Sequence, residues 1–515
     1  MSKDYLLGID IGTTGAKANI LDLEGQVAGT GYYEYPCFYP RPNWVEQDVD
    51  LIVGRSMDAT RDAIEDAGID GAAIRAISFS TQRCCTIAVD ENGRLLRPMI
   101  SWQDNRTPVE LDLLRQSVSD EEYYDITRMP MNTTWMASKI LWLQENEPEI
   151  WARTAKIVQL QDYTLNAWGV DGYYNDFSDA GFSGLWDPYK FQWDETMLAA
   201  ARIEPERLPQ PTASTTLVGK VSHGAAERSG LAVGTPICVG AGDQNSAAVG
   251  AGVIRPGTLS VSLGTAGSIA AFLEKEYIDP QRMNMVTNHA VEGQWQLEGY
   301  LPGAAGLYRW FRDEVAVLEK TFAAETGQDA YAILDTLVTQ VPPGSKGLVL
   351  IPHYAGAGSP RWAPHARGTL CGLTFAHDRK CMARAYMEGI TLGVKDMLVT
   401  LLKSGVEINN VHILGGPTKS ATWNQMQADM YGRPVKTLAS TDAAPLGAAI
   451  MAGVGVGLFK DIPSAVDNVV KIDKIYEPNA ETTSIYDEIY DIYDKMQKGL
   501  EDSGAFQAIA DFQAK

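Results

Sequence analysis

Two short turns, one in each half of the chain, limit what it can fold into more than any other feature. The first is Gly12-Thr13-Thr14-Gly15, reached from the apolar, β-branched run Tyr5-Leu-Leu-Gly-Ile-Asp-Ile. The second is Gly264-Thr265-Ala266-Gly267, reached from Thr258-Leu-Ser-Val-Ser-Leu. Each preceding run reads as a buried strand, and each turn is followed by another strand-like stretch, Ala16 to Leu23 and Ser268 to Ala271. The internal similarity is slight, but it falls where a duplication of two domains would put it. The boundary is expected near Val253–Gly257, where Arg255-Pro256-Gly257 has the character of a linker. The expected division is 1–253, 254–480 and a helical tail, 481–515.

Between the turns, strand-like and helical stretches alternate. Ile74–Ser80 and Thr86–Val89 read as strands, and Val109–Leu114, Met136–Glu145 and Glu195–Ala201 as helices. In the second half a helix around Cys381–Ser404 leads to the strand Val411–Leu414, the break Gly415-Gly416-Pro417 and a helix over Ala421–Tyr431. Pro445 opens a Gly- and Ala-rich helix whose small residues suggest close packing, and Tyr486, Tyr490 and Tyr493 recur at helical spacing in the tail. This is the pattern of an α/β protein. At 515 residues and 45% apolar content, the chain can bury sizeable cores.

Charge removes several functions. A net charge of −22 argues against nucleic acid and anionic membrane surfaces as partners. No apolar run is long enough to span a bilayer, and Met1-Ser2-Lys3-Asp4 does not read as a secretion signal. The six cysteines include no C-x-x-C pair, so reduced thiols and a cytoplasmic location are expected. A nucleotide remains compatible with an acidic chain, because backbone N–H groups can hold phosphates.

The first turn could do this. Gly12 and Gly15 would let the backbone approach a phosphate chain, and Asp10 could hold Mg²⁺ directly or through water. The alternative is an ordinary hairpin. The second turn, with Gly264 and Thr265, tips the balance toward two phosphate loops on one nucleotide. A Walker motif and a Rossmann G-x-G-x-x-G are both absent. A third feature is Ala241-Gly242-Asp243-Gln244-Asn245, after the apolar Pro236–Val239. An Asp at the end of a buried strand can accept the proton of an attacking hydroxyl. It can equally cap a following helix, here Ser246–Ala251. His353, His365 and His377, spaced by twelve, do not match zinc sites. Trp44 and Trp102 are the tryptophans placed nearest a small ligand.

Together these residues resemble the FGGY carbohydrate kinase family, over nearly the whole chain. Gly8-Ile-Asp-Ile-Gly-Thr-Thr-Gly-Ala-Lys17 is similar to its first phosphate hairpin, Gly242-Asp243-Gln244 to its catalytic segment, and Ser262-Leu-Gly-Thr-Ala-Gly267 to its second hairpin. Pro352-His-Tyr-Ala-Gly-Ala-Gly-Ser-Pro-Arg-Trp362 and Gly368-Thr-Leu-Cys-Gly-Leu373 resemble a xylulokinase-type block. Gly415-Gly-Pro-Thr-Lys-Ser-Ala-Thr-Trp-Asn-Gln425, with Asp429, Gly432 and Pro434, resembles the adenine-site signature. The resemblance implies two actin-like, ribonuclease H-like domains with a nucleotide cleft between them, the first mainly for the acceptor and the second mainly for ATP. It implies ATP and Mg²⁺ as cofactors. Asp10 is the expected metal ligand. Asp10, Gly12, Thr13, Thr14, Gly15, Lys17, Gly264, Thr265, Gly415, Gly416 and Ser420 are the expected nucleotide residues, and Asp243 the expected general base.

The acceptor segment departs from any one member. Ser80-Thr81-Gln82-Arg83-Cys84 has the Gln-Arg of glycerol kinases but Cys84 where their Glu belongs, and no Gln-Met-His of xylulokinases. Gln82, Arg83, Cys84, Trp102, Asp243 and Gln244 are the expected substrate residues. Arg83 would donate to substrate hydroxyls, and Cys84 either lines the pocket or packs behind the strand. A ketopentose such as xylulose is the expected acceptor, with glycerol, a tetritol or autoinducer-2 as alternatives; Asn284–Asp313 loosely resembles autoinducer-2 kinase. A rival of another class is an actin-like nucleotide switch with no acceptor. The expected partner is a small sugar or polyol, with a homodimer among the possible assemblies.

Overall fold

The computed structural model describes residues 4–513. The reading of Met1-Ser2-Lys3 and the end of the expected tail lie outside the described residues. The chain forms two compact units. The first takes the described residues up to Arg255, together with Phe272–Leu297 and Asp442–Lys471. The second takes Pro256–Ala271, Glu298–Thr441 and the chain from Ile472. The units are thus discontinuous in sequence, unlike the contiguous 1–253 and 254–480 read from the linker. Residues 481–513 belong to the second unit.

The first unit is built on a seven-stranded sheet. Its strands are β1 (Tyr5–Ile11), β2 (Gly15–Asp22), β3 (Val27–Glu34), β4 (Ile74–Thr81), β5 (Leu217–Lys220) and β6 (Pro236–Cys238). They lie in the order β5-β6-β4-β1-β2-β3, and the short strand Ala241–Gly242 pairs with the end of β4. β1 is antiparallel to β2 and parallel to β4. Leu6, Leu7, Ile9 and Ile11 are all buried, which explains an apolar run without alternation: this strand is covered on both faces. One cover is helix Ala443–Gly455. A Cβ on Gly8 would lie 1.8 Å from the Pro445 carbonyl oxygen, and one on Gly447 would lie 1.9 Å from that of Ser246. Only glycine allows that helix to rest on β1 and on helix Asp243–Gly250, so the small-residue pattern is a packing device within this unit.

The second unit repeats the plan. Its strands β7 (Gly257–Leu263), β8 (Gly267–Leu273), β9 (Ile408–Leu414), β10 (Val435–Leu438) and β11 (Ile472–Tyr476) lie in the order β8-β7-β9-β10-β11. β7 is antiparallel to β8 and parallel to β9, as β1 is to β2 and β4. Helix Ala421–Tyr431 has the bounds read from the sequence. Ser420 caps it by accepting the Trp423 N–H at 3.0 Å, and Gly432 closes it in the left-handed conformation. The tail helix, Ala480–Asp502, buries Tyr486 and Tyr493 fully. Among the described residues, no helix is long and apolar enough to cross a membrane, and all six cysteines are free.

Candidate active site

In the first unit, the C-terminal ends of β1, β4 and Ala241–Gly242 lie side by side: Asp10 pairs in register with Ser80, and Ser80 with Ala241. Open α/β sheets bind their ligands at such strand ends. Asp10 accepts the Ser80 hydroxyl at 2.6 Å. Burial pushes the Asp10 carboxyl up to about 7; the charges of Asp243 and Asp442 add to this, while Ser80 and Lys17 oppose it. Lys17 is paired with Asp442 at 2.6 Å, and Asn19 donates to the same oxygen at 3.3 Å. Asp442 was not among the residues read from the sequence, and it stands just before the small-residue helix. Asp10, Asp243 and Asp442 thus face only two cations, Lys17 and Arg83.

Asp243 is the first residue of helix Asp243–Gly250, with Gly242 as its N-cap, so the helix starts three residues earlier than expected. The carboxylate accepts the N–H of its neighbour Gln244 at 2.7 Å and pairs with the Arg83 Nε at 3.2 Å. Arg83 also donates to the Asn245 side chain at 2.9 Å and lies over the Phe182 ring at 3.7 Å. Asn245 in turn donates to the Asn288 carbonyl at 3.0 Å. Sequence reading missed Asn245, Asn288 and Phe182. Asn245 at least stood next to the Gly-Asp-Gln run.

A second network ties the acceptor segment to the first hairpin. Gln82 donates to Gln47 at 3.0 Å, Gln47 to the Thr13 carbonyl at 2.8 Å, and the Trp102 indole to the Thr13 hydroxyl at 2.9 Å. The Tyr35 hydroxyl donates to the Gly12 carbonyl at 2.6 Å. Thr14, at the tip, is exposed. Cys84 adopts a left-handed backbone, φ 62°, and its side chain is buried, with the thiol pushed well up by that burial. This fits packing behind the strand better than lining a pocket. Its backbone is pinned from both sides: the N–H donates to Gln159 at 2.9 Å, and the carbonyl accepts Lys139 at 3.1 Å. Lys139, fully buried, also donates to the carbonyls of Ser101 and Thr134 at 2.8 and 2.7 Å. Trp44 carries the Arg106 guanidinium on its ring at 3.8 Å.

In the second unit, Gly264 and Thr265 form the turn between β7 and β8. Gly264 donates to the Ala266 carbonyl at 2.9 Å, as Gly12 donates to that of Gly15 at 3.0 Å. A Cβ on Gly12 would meet nothing nearer than 3.7 Å, and one on Gly264 nothing nearer than 3.6 Å. Neither has a positive φ. Neither packing nor backbone conformation therefore requires glycine at these two positions. Both turns leave their backbone open to close approach from outside. Gly415, at φ 91°, abuts Leu263, so the turn it begins lies beside the Gly264 turn at the ends of two parallel strands. Gly416 and Ser420 border a cavity of about 300 Å³.

Comparison with known proteins gives the family of this chain. The N-terminal domain model of the FGGY family of carbohydrate kinases matches residues 5–250, and its C-terminal domain model matches 259–456. The chain belongs to the FGGY family of carbohydrate kinases. It is a phosphotransferase with an alcohol group as acceptor, and its fold is that of two actin-like, ribonuclease H-like domains. A xylulose kinase of Staphylococcus epidermidis is 28% identical over 97% of both chains. A glycerol kinase of Aromatoleum aromaticum is 30% identical over 92% of this chain and 94% of its own. The crystal structure of a gluconate kinase from Lactobacillus acidophilus superposes with a TM-score of 0.89 at 26% identity, over 97% of this chain and 98% of that one. The family implies ATP as the phosphoryl donor of this kinase. The fit of Mg²⁺ rests on Asp10. Among the described residues, no group of three or more His, Cys, Asp or Glu could hold a metal alone. Mg²⁺ in kinases commonly needs only one or two carboxylates besides phosphate oxygens and water, and the crowded, half-buried Asp10 carboxylate would be relieved by it.

Proposed function

We propose that this kinase phosphorylates a hydroxyl of a four- or five-carbon sugar or polyol, with a ketopentose such as xylulose as the leading acceptor, and that Asp243 is its general base. The observation that carries the reading is the position of Asp243. It opens a helix beside the strand ends, its carboxylate is oriented by Arg83 and by the Gln244 N–H, and it is close enough to Asp10 to raise that group's pKa. Asp243 orients the acceptor hydroxyl and takes its proton as the new P–O bond forms. Arg83 and Gln244 hold neighbouring oxygens of the acceptor, with Trp102 and Gln82 bracing the wall. The Gly12–Gly15 turn and the Gly264-Thr265 turn hold phosphates of ATP. Asp10 holds Mg²⁺, which supplies neutralisation of phosphate charge. Adenosine rests against the Gly415-Gly416 turn and Ser420. Positioning and charge compensation supply most of the rate. The proposed location is cytoplasmic.

Cys84 stands where glycerol kinases carry Glu, and with its side chain packed behind the strand this position offers a small triol no carboxylate acceptor. A buried donor left unpaired costs about 1–3 kcal/mol, which makes glycerol the poorer substrate by roughly ten- to hundredfold. The test is a coupled ADP-release screen over glycerol, tetritols, xylulose, ribulose, fuculose, gluconate and autoinducer-2. A ketopentose or tetritol should give the highest kcat/KM. Glycerol as the best acceptor would overturn this reading of the pocket, and ATP turnover indifferent to every acceptor would favour a nucleotide switch.

A further inference from the structure

The Lys139 ammonium is committed entirely to backbone. It projects from helix Met136–Asn146 with no exposed surface and donates to the carbonyls of Cys84, Ser101 and Thr134 at 3.1, 2.8 and 2.7 Å. An ammonium has three N–H groups, so each finds one acceptor. Burying a charge is costly, and neutral donors could satisfy three carbonyls without that cost. The segments joined in this way form the wall beside Asp243. Cys84 follows Arg83, whose guanidinium pairs with Asp243 at 3.2 Å. Ser101 precedes Trp102, whose indole donates to the Thr13 hydroxyl at 2.9 Å. Thr134 lies in the loop entering the helix, where Thr133 donates to Asn105 at 2.6 Å.

Support matters most at Cys84. Its φ of 62° is a conformation that a residue with a side chain keeps only where its surroundings impose it. The reversal there carries the chain from the end of β4 to Thr86, whose N–H donates to the Ile100 carbonyl beside Ser101. Arg83 is left at the strand end, with the Cys84 side chain buried behind it. Gln159 on the Cys84 N–H and Lys139 on its carbonyl hold the reversal, and with it the direction in which Arg83 leaves the backbone.

We propose that Lys139 is a positioning residue for phosphoryl transfer: by tying the Cys84, Ser101 and Thr134 carbonyls to one ammonium, it fixes the backbone from which Arg83 and Trp102 meet the acceptor. This rests on the assignment of those two residues to the acceptor. It gives the enzyme an alkaline limit. A neutral amine has two N–H groups and a lone pair, so on losing its proton Lys139 must release one carbonyl. Burial pulls the ammonium down from its ordinary 10.5 to about 8; Cys84, Cys85 and Asp104 oppose the shift, and Arg106 adds to it. The two thiols oppose it only as thiolates, and burial holds both protonated well above that pH, Cys85 up to about 12. Asp104 and Arg106 pair with each other at 2.7 Å, so their effects on Lys139 largely offset. Between pH 8 and 10.5 the unfolded chain holds a proton that the folded one has lost, so the contribution of this group to stability rises with pH. Weaker acceptor binding in that range is therefore not the onset of unfolding.

The test is steady-state kinetics of the full chain from about pH 7 to 9.5, with the best uncharged acceptor of the screen, so that the acceptor itself does not titrate. About one enzyme in ten still carries the charge at pH 9, so the acceptor KM should rise about five- to tenfold from pH 7, while the KM for ATP stays within about twofold. Saturating acceptor should bring kcat back to within about threefold. Lys139→Met removes all three N–H groups. At pH 7 it should raise the acceptor KM about ten- to hundredfold, leave ADP affinity by calorimetry within about twofold, and abolish the alkaline rise. A melting curve reports whether this variant folds; where it does not, the wild-type profile decides by itself. A flat acceptor KM in wild type over that range, with acceptor-dependent ADP release intact, would overturn this inference alone. So would an alkaline rise that persists in folded Lys139→Met, or one shared equally by ATP. ADP release that responds to no acceptor would overturn the reading of the acceptor site along with it.

Discussion

Replacing Asp243 by Asn separates its chemical role from its structural one. The amide retains an oxygen to accept the Gln244 N–H, now 2.7 Å away, and nearly the same volume. What is lost is the base and the charge that pairs with Arg83. That pair is partly open, with side chains 9% and 31% exposed, so after solvent screening its loss costs about 1 kcal/mol of stability. Arg83 keeps Asn245 and the face of Phe182, which limits the damage further. Loss of a general base slows turnover by roughly 10²- to 10⁴-fold. That corresponds to about 3–5 kcal/mol of barrier, well above the stability cost. Acceptor-dependent ADP release with the best acceptor from the screen gives kcat, calorimetry gives ADP affinity, and a melting curve reports folding. The expected result is a folded variant with near wild-type ADP affinity and a kcat lower by at least about a hundredfold. A folded Asp243→Asn enzyme whose kcat stays within about tenfold of wild type would refute the assignment of the base.

Other outcomes follow from the same geometry. Gly12→Val should fold, since its Cβ meets nothing nearer than 3.7 Å, but weaken ATP binding by roughly tenfold or more while leaving acceptor binding alone; unchanged ATP affinity by calorimetry would count against the phosphate role of the turn. Phe182→Leu removes the ring under the Arg83 guanidinium, a contact worth about 0.5–2 kcal/mol, and should raise the acceptor KM about two- to thirtyfold without moving the KM for ATP. Acid should destabilise the first unit through His289. Its Nδ1 accepts the Val291 N–H and its Nε2 faces the Val253 carbonyl, so the neutral ring is favoured and burial lowers its pKa to about 4. The unfolded chain binds the proton first, so this contribution is complete above the ordinary histidine value near 6.5 and declines as pH falls toward 4. Between pH 7 and pH 5 the loss from this residue is about 2 kcal/mol, and His289→Asn should lose correspondingly less in urea unfolding over that interval.

What the sequence determined by itself is local and repeated. The two Gly-Thr turns after apolar strands, the Gly-Asp-Gln run and the Ser420-to-Gly432 helix are written in contiguous residues, because turn geometry, strand burial and capping depend on neighbours in the chain. They were enough for the α/β class and the kinase family. The tertiary structure decided what depends on residues far apart. Lys17 meets Asp442 across 425 positions, and Arg83 meets Asn245 across 162. No local pattern marks Asp442 or Asn245 as partners, since each pairing exists only once strand ends and helix starts converge. Lys139 lies in an ordinary helix by sequence, yet it joins three backbone segments whose carbonyls must be satisfied in a buried place. Cys84 could have faced a pocket or the core, and only the path of the backbone around it buried the side chain. The division into units was hidden for the same reason. The Gly- and Ala-rich helix after Asp442 follows the second unit in sequence, but it packs on β1, where Gly8 leaves room for a helix backbone and no other residue would.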